Sequence, residues 1–195
     1  MSLQQWLVVG EFDAGAGVET PLLHAGKAGD REALDELLAL HERPLHALCL
    51  GILGHPQDAE DAIQETFLRA LRALPGFRGD AAFRTWLFRI AVNVCLRRRA
   101  SPHRTVPLDE EQPAPASASS SPEVIALQKL RVQEALSRLL PRQRALLLLK
   151  EREGWSVGEI ARALRWSERQ VRYELSKARL TLAQWRRETE EGDQG

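Results

Sequence analysis

The chain has 195 residues, enough for one or two domains that each bury a core. Its 27 basic residues balance 27 acidic ones, which excludes binding of nucleic acid through bulk positive charge alone, and two cysteines exclude a disulfide framework. No apolar run approaches membrane-spanning length, and the patch from Trp6 to Val9 lacks the basic start and cleavage pattern of a signal peptide. The expectation is a cytoplasmic protein without membrane insertion.

Helix formers dominate and β-branched runs are short, so the expected fold is all-α, built as two small helical domains. Residues 1–20 contain glycine and are weakly periodic, which reads as a flexible extension. The first domain spans 21–100. In it, Asp30 is a plausible N-cap for a helix through Leu34, Leu37, Leu38 and His41, and Pro44 is expected to kink or restart that helix before Leu45, Leu48 and Ile52. Asp58 to Leu74 is strongly amphipathic. Ala59, Ala62, Ile63, Thr66, Phe67, Ala70, Leu71 and Leu74 form its apolar stripe, with Asp61, Gln64, Glu65 and Leu68 on the adjoining face. A loop from Phe77 to Ala82 leads into a helix from Phe83 to about Arg99, apolar on two sides, which either packs twice or offers a strip to a partner. Charge is segregated here. Residues 81–108 hold six arginines and no acid, whereas Asp58, Glu60, Asp61 and Glu65 cluster upstream. Cys49 and Cys95 sit in apolar helical stretches and read as buried thiols.

Residues 101–122 are rich in Pro, Ala and Ser and mark an extended linker to a second domain over 123–187, with a polar tail over 188–195. Glu123 to Leu140 is amphipathic and stops at Pro141. Leu149 to Arg179 then reads as a helix-turn-helix, with one short helix ending at Leu164 and a second from Ser167 to Arg179. Ile160, Leu164, Trp166, Val171, Leu175 and Ala178 close a small core, and Ala161 sits where the two helices must approach closely. Ser167 is a good N-cap. Arg169, Arg172, Tyr173, Ser176 and Lys177 lie on the other side, donor-rich groups suited to phosphates and base edges. An ordinary helical hairpin with a solvated basic face has the same pattern. Arg165 occupies the turn where a glycine with positive φ is often found.

Two motif sets occur together in a fixed order. Asp58 to Leu71 (DAEDAIQETFLRAL) and Phe83 to Asn93 (FRTWLFRIAVN) resemble the second conserved region of bacterial RNA polymerase sigma factors. Leu136 to Leu149 (LSRLLPRQRALLLL), with the helix-turn-helix behind it, resembles the fourth. A chain with only these two regions and a short linker resembles the extracytoplasmic-function (ECF) sigma family, over about Leu22 to Trp185. It departs from the family at Arg97, where an acid is common, and at Arg165.

The resemblance implies a non-catalytic specificity subunit whose partners are core RNA polymerase (the β′ coiled coil and the β flap), promoter DNA and an anti-sigma factor. Asp58, Asp61, Gln64, Glu65 and Leu68 match the face that docks on the coiled coil. Phe77, Arg78, Phe83, Arg84, Trp86 and Asn93 supply the stacking, polar and cationic groups that an unpaired −10 strand needs, with Arg84, Arg89 and Arg97 to Arg99 as backbone contacts; Phe83 and Trp86 also read as core residues. For the −35 duplex, Arg169, Arg172 and Ser176 are expected at base edges, with Glu168 and Gln170 as further candidates. Arg165, Lys177 and Arg179 are expected at phosphates, Tyr173 at either, and Ser167 at the helix start. No catalytic group, cofactor or metal set is visible, and the five histidines read as surface or interface residues. A one-component DNA-binding regulator would need a ligand cavity or a dimer seam in the N-terminal helices. A recombinase would need a nucleophile or carboxylate set.

Overall fold

The computed structural model describes residues 16–100 and 122–192. The expected extension before Ala16, nearly all of the expected linker and His103 fall outside the described residues. Among the described residues there are eight α-helices and no strand, and no helix is long and apolar enough to cross a membrane. The chain divides between Arg99 and Ala100 into two compact units.

The first unit holds α1 (Ala16–Lys27), α2 (Arg31–Leu53), α3 (Pro56–Ala73) and α4 (Phe83–Ala100). Residues 16–20 are therefore helical rather than part of an extension. Asp30 caps α2, its carboxylate accepting from the Ala33 N–H at 3.1 Å, and Gly54 closes it in the left-handed region at φ 79°. Pro44 does not break α2. An interior proline costs about 3 kcal/mol, but Leu37, Leu38, Leu45, Leu48 and Ile52 are buried on both sides of it, each at about 1.5–3 kcal/mol. Breaking the helix would forfeit several of these. α3 begins two residues before the expected Asp58, with Pro56 at its first position, where the fixed φ suits a helix and the missing N–H costs nothing.

α3 buries Ala59, Ala62, Ile63, Thr66 and Ala70, but Leu71 is 39% exposed and leaves the expected stripe. α4 packs on two sides, with Leu87, Phe88, Ala91, Val92, Val94 and Cys95 buried. Cys49 and Cys95 are buried free thiols, and their mutual hydrogen bond, with burial, pushes the Cys95 thiol up. His41 overturns the surface reading of the histidines. It is 2% exposed, its ring lies 5.6 Å from that of Phe83, and Nε2 has no hydrogen-bond partner. Burial, then the charge of Arg84, lowers its pKa to about 4. The 3.4 Å contact with Glu19 is therefore not an ion pair at neutral pH.

The second unit holds α5 (Pro122–Ser137), α6 (Pro141–Leu147), a π turn (Leu148–Arg152), α7 (Val157–Leu164) and α8 (Glu168–Gly192). Leu146 to Leu149 are buried as a continuous run, and Trp155 folds back so that its N–H reaches the Leu149 carbonyl at 3.0 Å. Arg144 is buried because it satisfies the end of α5, donating to the Leu139 and Ser137 carbonyls at 3.1 Å each. Glu174 ties α8 to α6 by accepting from Gln143 at 3.0 Å and pairing with Arg142 at 3.2 Å.

Candidate nucleic-acid interface

In the second unit, sequence chemistry sets the angle between α7 and α8. Ser156 and Glu159 form a reciprocal capping box at the start of α7, which holds the Glu159 carboxyl below its usual range. Arg165 ends α7 at φ 57°, ψ 41°, and the next N–H, of Trp166, returns to the Ala161 carbonyl at 2.9 Å. Among the described residues Arg165 alone adopts positive φ without being glycine. Ala161 is 6% exposed at this junction. Ser167 and Gln170 then repeat the box for α8: the Gln170 carbonyl accepts from the Ser167 N–H at 2.9 Å, and the Ser167 hydroxyl accepts from the Gln170 N–H at 3.2 Å. Gln170, exposed and expected as a further base-contact candidate, is engaged in starting α8 through its side-chain oxygen.

α8 buries Val171, Leu175, Ala178 and Leu182 as a single stripe. Arg169, Arg172, Tyr173, Ser176, Lys177 and Arg179 are exposed. Glu168 pairs with Arg172 one turn along. Lys177 lies 4.9 Å from the Tyr173 ring centroid, and a side-chain hydrogen bond with Tyr173 raises its pKa. Arg179 reaches the Glu151 carboxylate of the π turn at 2.6 Å, so the expected phosphate ligand is held within the unit. Leu180, 64% exposed one turn beyond Ser176, was not anticipated on this face; its spacing from Tyr173 is the available signal.

In the first unit the expected acidic and basic surfaces meet. Arg98 donates to Glu65 at 3.0 Å and Asp61 at 3.4 Å, and Glu65 also accepts from Arg69 at 2.5 Å. Against its own partial burial, Glu65 and then Asp61 raise the Arg98 pKa. The absence of acid around residues 81–108 was a property of sequence distance only, since α3 brings the acids to α4. Arg98 is thus an intramolecular partner of the α3 acids rather than an unpaired cation. Asp58 is half-buried in the first turn of α3, while Gln64 and Leu68 are exposed and Leu71 extends their row.

The loop from Phe77 to Ala82 rests on aromatic rings. Phe77 and Phe83 are 8% and 3% exposed, with ring centroids 5.9 Å apart, and Trp86 lies 5.0 Å from Phe77 and 5.5 Å from Phe83. Phe77 and Phe83 are therefore a floor rather than open stacking surfaces, and Trp86 is the half-exposed ring. Arg78 is exposed at the loop, as is Arg97 near the end of α4. Arg84 lies over the Phe88 ring at 4.9 Å. Asn93 is exposed, but its amide donates to the Arg89 carbonyl at 2.8 Å.

Residues 37–105 match the model of sigma-70 region 2, and residues 129–182 that of sigma-70 region 4. The ECF RNA polymerase sigma factor SigM of Mycobacterium tuberculosis is 40% identical over 85% of this chain and 83% of its own length. The RNA polymerase sigma-H factor of Pseudomonas aeruginosa is 32% identical over 81% of this chain and 88% of its own. CnrH, solved in complex with the cytosolic domain of CnrY, superposes with a TM-score of 0.64 at 26% identity, covering 86% of this chain and 96% of that one. RpoE of Bartonella quintana, solved with the anti-sigma factor NepR, shares the fold at a TM-score of 0.59 and 22% identity over 77% of this chain and 94% of that one. The chain belongs to the extracytoplasmic-function (ECF) family of RNA polymerase sigma factors, the subunits that direct core polymerase to specific promoters.

Proposed function

We propose that the work of this sigma factor is divided among three surfaces, with the chemistry of transcription left to the polymerase and the whole chain acting in the cytoplasm. The exposed row Gln64, Leu68 and Leu71, flanked by Asp58, Asp61 and Glu65, docks on the β′ coiled coil. The Phe77 to Ala82 loop, with Arg78, Trp86, Arg89 and Arg97, receives the unpaired −10 strand. The second unit, which also meets the β flap, reads the −35 duplex. Arg169, Arg172 and Ser176 face base edges there, and Arg165 and Lys177 face phosphates.

The observation that carries this reading is the α7–α8 junction. A left-handed Arg165 and a capping box launch α8 with its apolar stripe inward and its donor groups outward. A regulator of anti-sigma type completes the proposal. It rests on the family and on CnrH having been solved with the cytosolic domain of CnrY.

In vitro transcription of a genomic DNA library with core polymerase tests the whole. Initiation at a defined set of promoters, dependent on the chain, is expected. Initiation no different from that of core alone sinks the reading. Purification as a stable dimer that binds duplex DNA tightly without polymerase favours a one-component regulator instead.

A further inference from the structure

We infer that α1 is a positioning element for the −10 loop, with Lys27 and Glu19 holding the loop at its two ends. Lys27 Nζ donates to the Phe77 carbonyl at 2.8 Å, across fifty positions of sequence. Two turns earlier on α1, Glu19 accepts from the backbone N–H of Arg84 in the first turn of α4. The loop that the previous reading assigns to strand opening, and on which this inference rests, runs between those two points. Its crest stands clear of the domain. A Cβ built on Gly79, at φ 80°, would meet nothing within 4 Å. The crest is thus placed by its ends, with the Phe77, Phe83 and Trp86 rings packed together beneath one of them.

The seat of α1 is itself fixed. A Cβ on Gly26 would stand 2.4 Å from Cδ2 and 2.8 Å from Cγ of Leu34, so α1 lies against α2 at a distance that only glycine permits without a shift. The turn out of α1 is tied by Ala28, Gly29 and Asp30 N–H groups reaching back to Ala25 and Gly26 carbonyls at 3.0–3.1 Å. Lys27, the next residue after Gly26, is therefore presented to Phe77 from a fixed backbone. A charge-assisted bond to a carbonyl at the base of a loop restricts the loop without occupying its binding face. Neither Lys27 nor Glu19 is needed to touch DNA or polymerase.

The test uses the full chain with core polymerase and one promoter taken from the library transcription, carrying a fluorescent base in its −10 non-template strand. Lys27→Met and Glu19→Ala, each of which removes the hydrogen-bonding group outright, are expected to slow strand opening about 5- to 10-fold, the scale of one lost hydrogen bond. Lys27→Arg, which keeps the donor, is expected within about twofold of the parent. Core affinity and duplex binding are expected to stay unchanged for the Lys27 variants, and the thermal midpoint of Lys27→Met to fall by about 5 °C, the same lost bond read in the folded unit. Opening by Lys27→Met at the parental rate overturns the inference. So does equal impairment of Lys27→Arg, or a loss of opening matched by a loss of core affinity. Arg78→Ala separates the two levels. If it also opens normally, the loop assignment has failed and the clamp with it. If it is impaired while Lys27→Met is not, the clamp alone has failed.

Discussion

Arg165 carries two demands that point in opposite directions. Its left-handed backbone, at φ 57° and ψ 41°, costs a side-chain-bearing residue roughly 1–2 kcal/mol. Its exposed guanidinium stands at the turn leading into α8, where a phosphate contact is proposed. Arg165→Gly removes both. Stability to urea should rise by about 0.5–1 kcal/mol, the strain relief exceeding the added chain entropy, while binding to −35 duplex weakens and its salt dependence falls by about one phosphate contact. A variant neither stabilised nor weakened in binding would remove the trade-off. His41 supports a pH prediction. Its folded pKa of about 4 lies below the unfolded 6.5, so the unfolded chain takes up the proton first and stability falls as pH drops through that window. Between pH 7 and 5 the loss from this group is about 2 kcal/mol. Glu19, whose pKa is raised chiefly by burial, contributes with the opposite sign from 4.5 upward and blunts the decline. Urea titrations at the two pH values should show the slope in the parent and a flatter profile in His41→Phe; identical slopes would mean that the ring is not the titrating group. The spacing of His41 from Leu37 and Leu38 marks it as part of the buried face of α2, but its partners are not legible there, because the groups that enclose it, Glu19, Phe83 and Arg84, come from two other helices.

Among the elements, α3 faces two ways at once. Its acids are divided between the proposed docking role and the Arg98 pair, whereas Leu68 and Leu71, 54% and 39% exposed, lie outside the buried core. Substitution should separate the two. Leu68→Arg is expected to reduce association with core polymerase at least tenfold with no change in the thermal midpoint, as for an anchor at the centre of an interface. Asp61→Arg should lower both association and stability, since it sets like charges beside Arg98. Pull-down with core enzyme and thermal melts of the same preparations decide the matter; parallel loss in both variants would return Leu68 to a structural role. The helix ends show what was legible from sequence and what was not. Asp30, Ser167 and the turn at Arg165 announce themselves through local chemistry, and the structure uses all three. Pro44 misleads, because its local penalty is outweighed by contacts no local window contains. The π turn at Leu148–Arg152 has no sequence signal of its own, beginning in the last two residues of a leucine run and continuing into Lys150, Glu151 and Arg152, all good helix formers. The Arg98 pair is hidden for the same reason as the partners of His41: 33 and 37 positions separate it from its acids.

At the scale of the whole molecule, the zero net charge acquires a meaning. Three arginines expected at DNA are paired with the chain's own acids: Arg98 with Glu65 and Asp61, Arg172 with Glu168, and Arg179 with Glu151. Such exposed pairs are individually weak, so they do not lock the side chains away, but each must be exchanged before a phosphate is gained. The surplus is uneven: residues 16–100 hold 11 basic and 11 acidic residues and residues 122–192 hold 15 and 10, so the proposed grip of the first unit on DNA gains most from its connection to the second. The two units are joined through residues 101–121, a stretch whose fully extended reach is at most about 70 Å. Covalent connection converts the second engagement into an intramolecular event at millimolar effective concentration. Cutting the chain within 101–121 should therefore leave two folded fragments that, mixed with core polymerase, need about 10²- to 10⁴-fold more protein than the intact chain for the same run-off transcription. The first fragment should still compete with the intact chain for core enzyme, because the α3 row proposed to dock lies wholly within it. Equal transcription from the cut and intact proteins, each titrated against the same promoter, would place the promoter grip in one unit and leave the connection without a role in affinity.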